Sequence, residues 1–188
     1  WASEGFASLH LQHVGSDRKI WTGGSPFAVV DRLHAAAQEA EAIARAHDLR
    51  FALNQVLRGN FGHLIDSKRI VAAGHSYGAN TTLLAAGARV KRHGQMLDLL
   101  DSRLQAAILI SAPPFYGESS HDRILTPVRV PTLHITATDD VIRIPGYYSA
   151  AEDRIAIFDA VGSARKMLAV FLGGSHSIFT DRAGTGGM

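Results

Sequence analysis

Hydrophobic and polar positions change period several times along the chain. Residues 29–46 (VVDRLHAAAQEAEAIARA) are rich in Ala and Glu, contain no Gly or Pro, and carry Asp31 early in the run, a pattern that predicts one helix. A second helix is expected over residues 49–57, leading into the loop Arg58-Gly59-Asn60-Phe61-Gly62. Residues 6–11 (FASLHL) read as a strand that ends in the polar turn His13-Val14-Gly15-Ser16-Asp17. Four further extended segments are expected at residues 69–73, 105–111 (QAAILIS), 131–137 (PTLHITA) and 166–172 (KMLAVFL). Two of these show why: 105–111 is a short apolar run broken by Pro113-Pro114, and in 131–137 the proline stands where a strand can begin. A small-residue helix is expected from residue 77 to about residue 90, and a partly helical connection over 146–158. Helical and extended segments therefore alternate, which predicts an α/β fold with a mostly parallel sheet flanked by helices. No repeat or low-complexity tract interrupts that rhythm.

Composition narrows the class without naming a function. With 188 residues, 46% of them hydrophobic, the chain can bury a sizeable core as one domain. The 19 Lys and Arg against 17 Asp and Glu leave too little asymmetry to suggest a polyanionic partner. The one compact basic cluster, Arg89 to His93 (RVKRH), reads as the solvated end of a helix, so nucleic acid is not expected as a partner. No cysteine is present, which removes disulfides, thiol nucleophiles and cysteine-ligated metals from consideration. No stretch reaches the roughly 18 apolar residues of a membrane span. Residues 1–5 (WASEG) do not resemble a signal peptide, and Trp1 is not read as the native start, so compartment stays open.

One stretch carries chemistry. Residues 72–81 (AAGHSYGANT) frame Ser76 with Gly74 and Gly78 in a G-x-S-x-G, directly after an apolar strand and before a helix. In a nucleophile elbow the serine occupies a strained turn, and small neighbours let strand and helix approach closely. The helix start also puts its positive dipole end and free backbone donors beside Ser76. Short motifs arise by chance in a chain with 18 glycines, so the partners decide the matter.

A serine hydroxyl needs an imidazole to take its proton and a carboxylate to orient that imidazole. In a parallel sheet both should lie just past the carboxyl ends of later strands. Thr138-Asp139-Asp140-Val141 follows one such strand and Gly173-Gly174-Ser175-His176 follows another, giving the order serine, aspartate, histidine. Among ten histidines, His176 alone sits on a glycine-flanked strand exit. His134 lies inside a strand and reads as a core or sheet-face residue, while His10 and His13 form a pair without a third ligand and make weak zinc evidence. His34, His47, His63 and His93 fall on helices or turns and read as surface residues, and His121 follows a polar stretch. His75 is expected to point away from Ser76, packed or solvent-exposed and not the base. Asp139 and Asp140 are not separated by pattern alone, because adjacent side chains at a strand exit diverge.

The segments GFASLHLQHVGSD at 5–17, RIVAAGHSYGANT at 69–81, AAILISAPPF at 106–115, VPTLHITATDD at 130–140 and GGSHSIF at 173–179 together resemble the α/β-hydrolase superfamily. Within it the chain is similar to bacterial predicted dienelactone hydrolases, to platelet-activating-factor acetylhydrolase and to cutinase-like polyester hydrolases. The resemblance spans most of the chain. It implies a triad of Ser76, Asp140 and His176, because the family pattern before the acid reads G-T-x-D and the last residue takes the role. Ala137 stands where that pattern has glycine, and Asp139 is the alternative acid. It also implies an oxyanion hole built from the Tyr77 backbone N–H and a second donor on a loop upstream of residue 1. The chain is therefore expected to be a single partial α/β-hydrolase domain that lacks the usual N-terminal strands. Its last residues, AGTGGM, likewise stop where a closing helix is expected.

The reaction so implied is hydrolysis of small or medium carboxylic esters, with polyesters as further candidates, without metal or cofactor. Phe115, Tyr116 and Ile142 are candidate substrate-pocket residues. A thioesterase or serine peptidase would use the same nucleophile. A reading of another class, an inactive scaffold or binding module that keeps the elbow, is separated from catalysis by whether His176 reaches Ser76.

Overall fold

The computed structural model describes residues 2–14, 25–36, 39–92, 94–118 and 120–180. They fall into two compact units, Trp1–Lys68 and Arg69–Met188.

The first unit is helical. After a 3₁₀ turn at Ala2–Glu4 come α1 (Pro26–Ala36), α2 (Glu39–Arg58) and a second 3₁₀ turn at Gly62–Leu64. The break expected between residues 46 and 49 does not exist: α2 runs through His47 and Asp48, whose side chains are exposed. A polar pair on the solvent face does not interrupt a helix that has no Gly or Pro in it. Residues 6–11 form no strand, and Phe6 and Leu9 are exposed. A strand exists only as part of a ladder, and FASLHL has none of the β-branched residues that favour one. His13 is buried and its Nδ1 lies 2.8 Å from the Asp48 carboxylate, so it is tied to α2. Gly15, Ser16 and Asp17 of the predicted turn lie outside the described residues.

The second unit holds a four-stranded parallel sheet in the order β1 (Ile70–His75), β4 (Leu104–Ile110), β5 (Thr132–Asp139), β6 (Lys166–Ser175). Between β1 and β4 the chain makes α3 (Tyr77–Ala85) and an antiparallel hairpin of β2 (Arg89–Arg92) and β3 (Gln95–Asp98). The short helix α4 (His121–Leu125) joins β4 to β5, and α5 (Ala151–Ala160) joins β5 to β6. Each crossover steps the same way across the sheet, and right-handed connections then put the helices on one face. The core forms there: Leu83 of α3, Leu109 of β4, Leu125 of α4 and Ile157 of α5 are fully buried in one cluster. Burying each such side chain contributes about 1.5–3 kcal/mol. The other face carries Ile108, Ile110, Leu133 and Ile135 half-buried and Met167 and Phe171 exposed.

The helix after Ser76 is shorter than expected, and the basic cluster is not its end. Gly87, at φ 113°, closes α3 with Ala88 N–H donating to Leu83 O at 2.9 Å and Gly87 N–H to Leu84 O at 3.2 Å. Arg89 then starts a strand and pairs with Asp98 across the hairpin, both half-exposed, a contact of small energetic weight. His93 lies outside the described residues. The parallel sheet flanked by helices has the α/β-hydrolase architecture.

His134 on β5 faces the helix side of the sheet, with its ring edge-on to Phe158 at 5.2 Å and a 3.1 Å contact from Nε2 to the Thr132 hydroxyl. Burial and the nearby Lys166 charge lower its pKa from 6.5 to about 4. The folded state thus resists a proton that the unfolded chain accepts, so this site subtracts stability as pH falls from 6.5 towards 4. Taking the protein from pH 7 to pH 5 should cost about 2 kcal/mol through this residue. In urea titrations at the two pH values, His134→Leu should show a correspondingly smaller loss than the unsubstituted chain. Equal losses would show that His134 takes up its proton without penalty.

Candidate active site

Ser76, Asp140 and His176 stand at the carboxyl ends of β1, β5 and β6, where a parallel sheet opens a crevice. Ser76 has φ 54° and ψ −122°, a backbone conformation an L-residue occupies only at a cost of about 1–3 kcal/mol. Two features hold it there. Its N–H donates to Ile110 O at 2.8 Å, which extends the β1–β4 ladder, and its carbonyl accepts Ala79 N–H at 2.8 Å, which starts α3. Between them the chain folds so tightly that a Cβ on Gly74 would overlap the Gly78 carbonyl. The motif glycines thus meet the close approach that the sequence calls for. Tyr77 is the first residue of α3.

The three side chains meet. Ser76 Oγ lies 2.9 Å from His176 Nε2, and His176 Nδ1 lies 2.6 Å from Asp140 Oδ1. With Nδ1–H donating to the carboxylate, Nε2 is the acceptor and faces the serine hydroxyl. Asp140 is fully buried and Oδ2 also accepts the Thr136 hydroxyl at 2.7 Å. Behind it the buried Arg154 guanidinium places Nη2 3.4 Å from Oδ1. Burial alone would push the Asp140 carboxyl up. The His176 hydrogen bond, the Arg154 charge and the Thr136 hydroxyl together hold it well below the usual carboxylate range. Asp139 is exposed and sits in the β5–β6 ladder opposite Ser175. The pair that sequence pattern left open is thus split by geometry: Asp140 faces the imidazole and Asp139 does not.

His75 is packed beside this cluster, in line with the expectation of a packed residue that is not the base, and it touches the loop that carries His176. Its Nε2–H donates to the His176 carbonyl at 3.0 Å, and the two rings stand 5.0 Å apart. Burial first, then the neighbouring His176, lowers its pKa below 6.5, which keeps it uncharged beside the His176 ring. The motif letter gave no sign of this, because the contact joins residues that are 101 positions apart. Arg154 was also missed, although its signal was legible: it falls on the α5 stripe with the buried Ile157 and Ala160, where a charge is out of place.

Of the pocket candidates, Phe115 is packed into the helix-side core, Ile142 is buried and paired through its backbone with Ser149, and Tyr116 donates its hydroxyl to Tyr147 O at 2.8 Å. No group of three or more His, Cys, Asp or Glu among the described residues could hold a metal ion. No helix among them is long and apolar enough to cross a membrane.

No protein-family model matches the chain, and no curated protein matches it. Solved structures do. A cold-adapted esterase from an Arctic intertidal metagenomic library matches with a TM-score of 0.52 at 21% identity, over 80% of this chain and 56% of that one. A Pyrococcus furiosus esterase matches with a TM-score of 0.51 at 12% identity, over 74% of this chain and 55% of that one. Porphyromonas gingivalis dipeptidyl peptidase 4 matches with a TM-score of 0.50 at 16% identity, over 74% of this chain and 20% of that one. The chain thus spans about half the length of the two esterases and a fifth of the peptidase. At these identities the likeness establishes the fold that the three share with this chain.

The elbow should tolerate no side chain at Gly74. Gly74→Ala forces strand and helix apart and should lower stability by about 1–3 kcal/mol, and it should move Ser76 away from Nε2. The check is thermal unfolding alongside the rate at which an alkyl fluorophosphonate labels the protein. Unchanged melting and labelling would show that the turn has slack that the backbone contact does not suggest.

Proposed function

We propose that this chain carries the site of a serine carboxylic-ester hydrolase, acting through a covalent acyl-enzyme on small or medium esters. The single observation that supports the reading is the hydrogen-bonded relay from Ser76 Oγ through His176 to the buried Asp140. The fold adds to it, since the relay lies at the strand ends where such chemistry is built.

In this reading His176 Nε2 takes the Ser76 proton as Oγ attacks the ester carbonyl. The imidazolium that forms is stabilised by Asp140, which stays ionised throughout. Tyr77 N–H, at the start of α3, is one donor to the oxyanion of the tetrahedral intermediate, and a second donor completes the hole. The alcohol departs with the proton from His176. Water then attacks the acyl-enzyme by the same route, with His176 again accepting the proton, and releases the acid.

The assignment makes separate demands on neighbouring residues. A fluorophosphonate should label the full chain at Ser76, located by peptide mass spectrometry, and Ser76→Ala should abolish labelling. Asp140→Asn should slow turnover of a short-chain aryl ester by about 10⁴-fold, because the imidazole loses its tautomer and its counter-charge. Asp139→Asn should leave the rate close to that of the unsubstituted chain. A larger loss in Asp139→Asn than in Asp140→Asn would transfer the role to Asp139. Undiminished turnover in Ser76→Ala would remove the nucleophile assignment altogether.

A further inference from the structure

The reading of Ser76, His176 and Asp140 as a triad leaves unused a buried charge that stands directly beside it. Arg154 lies in the first half of α5 and is 2% exposed. Its Nη1–H donates to Ser149 Oγ at 2.8 Å, whereas Nε and Nη2 have no hydrogen-bond partner among the described residues, and Nη2 stands at ion-pair distance, 3.4 Å, from Asp140 Oδ1. Burying a guanidinium with two unsatisfied nitrogens is expensive, and exchanging a buried ion pair for packed apolar residues is often neutral or stabilising. Core stability is thus a poor reason for an arginine at this position. Its position relative to the relay is a better one. Asp140 Oδ1 faces two cationic or potentially cationic groups at once, His176 from the end of β6 and Arg154 from α5, while Oδ2 is taken by Thr136.

We propose that Arg154 is a positioning residue for the triad: it holds Asp140 against His176 and offsets the carboxylate's charge, so that the imidazole remains able to accept the Ser76 proton at lower pH than an isolated Asp–His pair would allow. An uncompensated buried carboxylate stabilises imidazolium strongly, and a base that is already protonated cannot serve. A guanidinium on the far side of the carboxylate draws part of that field away from the ring and never loses its own proton. The other groups around the cluster do not substitute for it. His75, against the ring, is held uncharged by burial. The Tyr116 hydroxyl donates to Tyr147 O, and burial raises its pKa, so it stays neutral as well. The Asp153 carboxylate accepts Ala150 N–H at 2.8 Å at the start of α5.

Two pH profiles of the full chain test this: the rate of Ser76 phosphonylation by an alkyl fluorophosphonate, and the titration of the His176 ring followed by NMR, with its signal assigned through His176→Gln. In Arg154→Met both midpoints should move up by about one pH unit, and Arg154→Lys, which keeps the charge, should bring them back towards the unsubstituted chain. Midpoints that stay put in folded Arg154→Met, or that move equally in the Met and Lys variants, would overturn the proposal and leave Arg154 as a packing residue. Should Arg154→Met not fold, Ser149→Ala carries the test, since it removes the 2.8 Å anchor of the guanidinium without touching any charge. A partial upward move is then expected, and no move overturns the proposal. If the unsubstituted chain does not label at any pH while the NMR midpoint still responds to Arg154, the esterase reading falls and the coupling between Arg154 and His176 stands.

Discussion

A carboxylate without any exposed surface is the constraint around which the second unit is organised. Asp140 keeps its charge only because groups from three elements converge on it: Thr136 from β5, His176 from the end of β6 and Arg154 from α5. Removing an ion from water costs several kcal/mol even after the protein relaxes, and no one of these contacts offsets that by itself. The strand order, the position of α5 and the exit of β6 must all be correct together for the charge to be tolerated. The same convergence orients His176 towards Ser76, so the electrostatic requirement of the fold and the geometric requirement of the relay have one solution.

The strain at Ser76 is the second fixed point, and it is sustained from the opposite side of the site. The serine's left-handed backbone is bracketed by the last rung of the β1–β4 ladder and the first hydrogen bond of α3. His75, one residue earlier, reaches the carbonyl of His176 and so links the strand before Ser76 to the loop that carries His176. Ser76, His176 and Asp140 are joined by side-chain contacts, and a side-chain-to-carbonyl contact from His75 ties the two strand ends together without the serine hydroxyl.

How much of this could be read in the sequence depended on how local each signal is. Ser76 was legible because strand, small residues and helix are contiguous, and His176 because glycines mark its strand exit. The parallel strands were legible as short apolar runs with turn residues at their ends. Asp139 and Asp140 were inseparable by pattern, because their difference lies in which of two adjacent side chains turns inward. The roles of His75 and Arg154 depend on contacts with residues distant in sequence or on burial against the sheet, which no short motif encodes. Residues 6–11 misled for a related reason: an apolar run says nothing of whether a neighbouring strand is there to pair with it. The basic cluster misled because α3 ends before it, at Gly87, whose positive φ is a property of the fold that the letter alone does not carry.

The ladder between β5 and β6 is in register up to Ala137 opposite Phe171, and the next pair is Asp139 opposite Ser175. Over that step β5 advances two residues while β6 advances four, with Gly173 at φ 68° absorbing the excess. The surplus chain brings His176 level with Asp140. What is conserved by such geometry is a count of residues: Leu172 is 89% exposed and its side chain is free to vary. Deleting any one residue between Phe171 and Ser175 would draw His176 back by about 3.3 Å, more than a hydrogen bond can stretch. Length variation in this short segment, harmless in most surface loops, is therefore a route by which the fold could persist while the relay is lost.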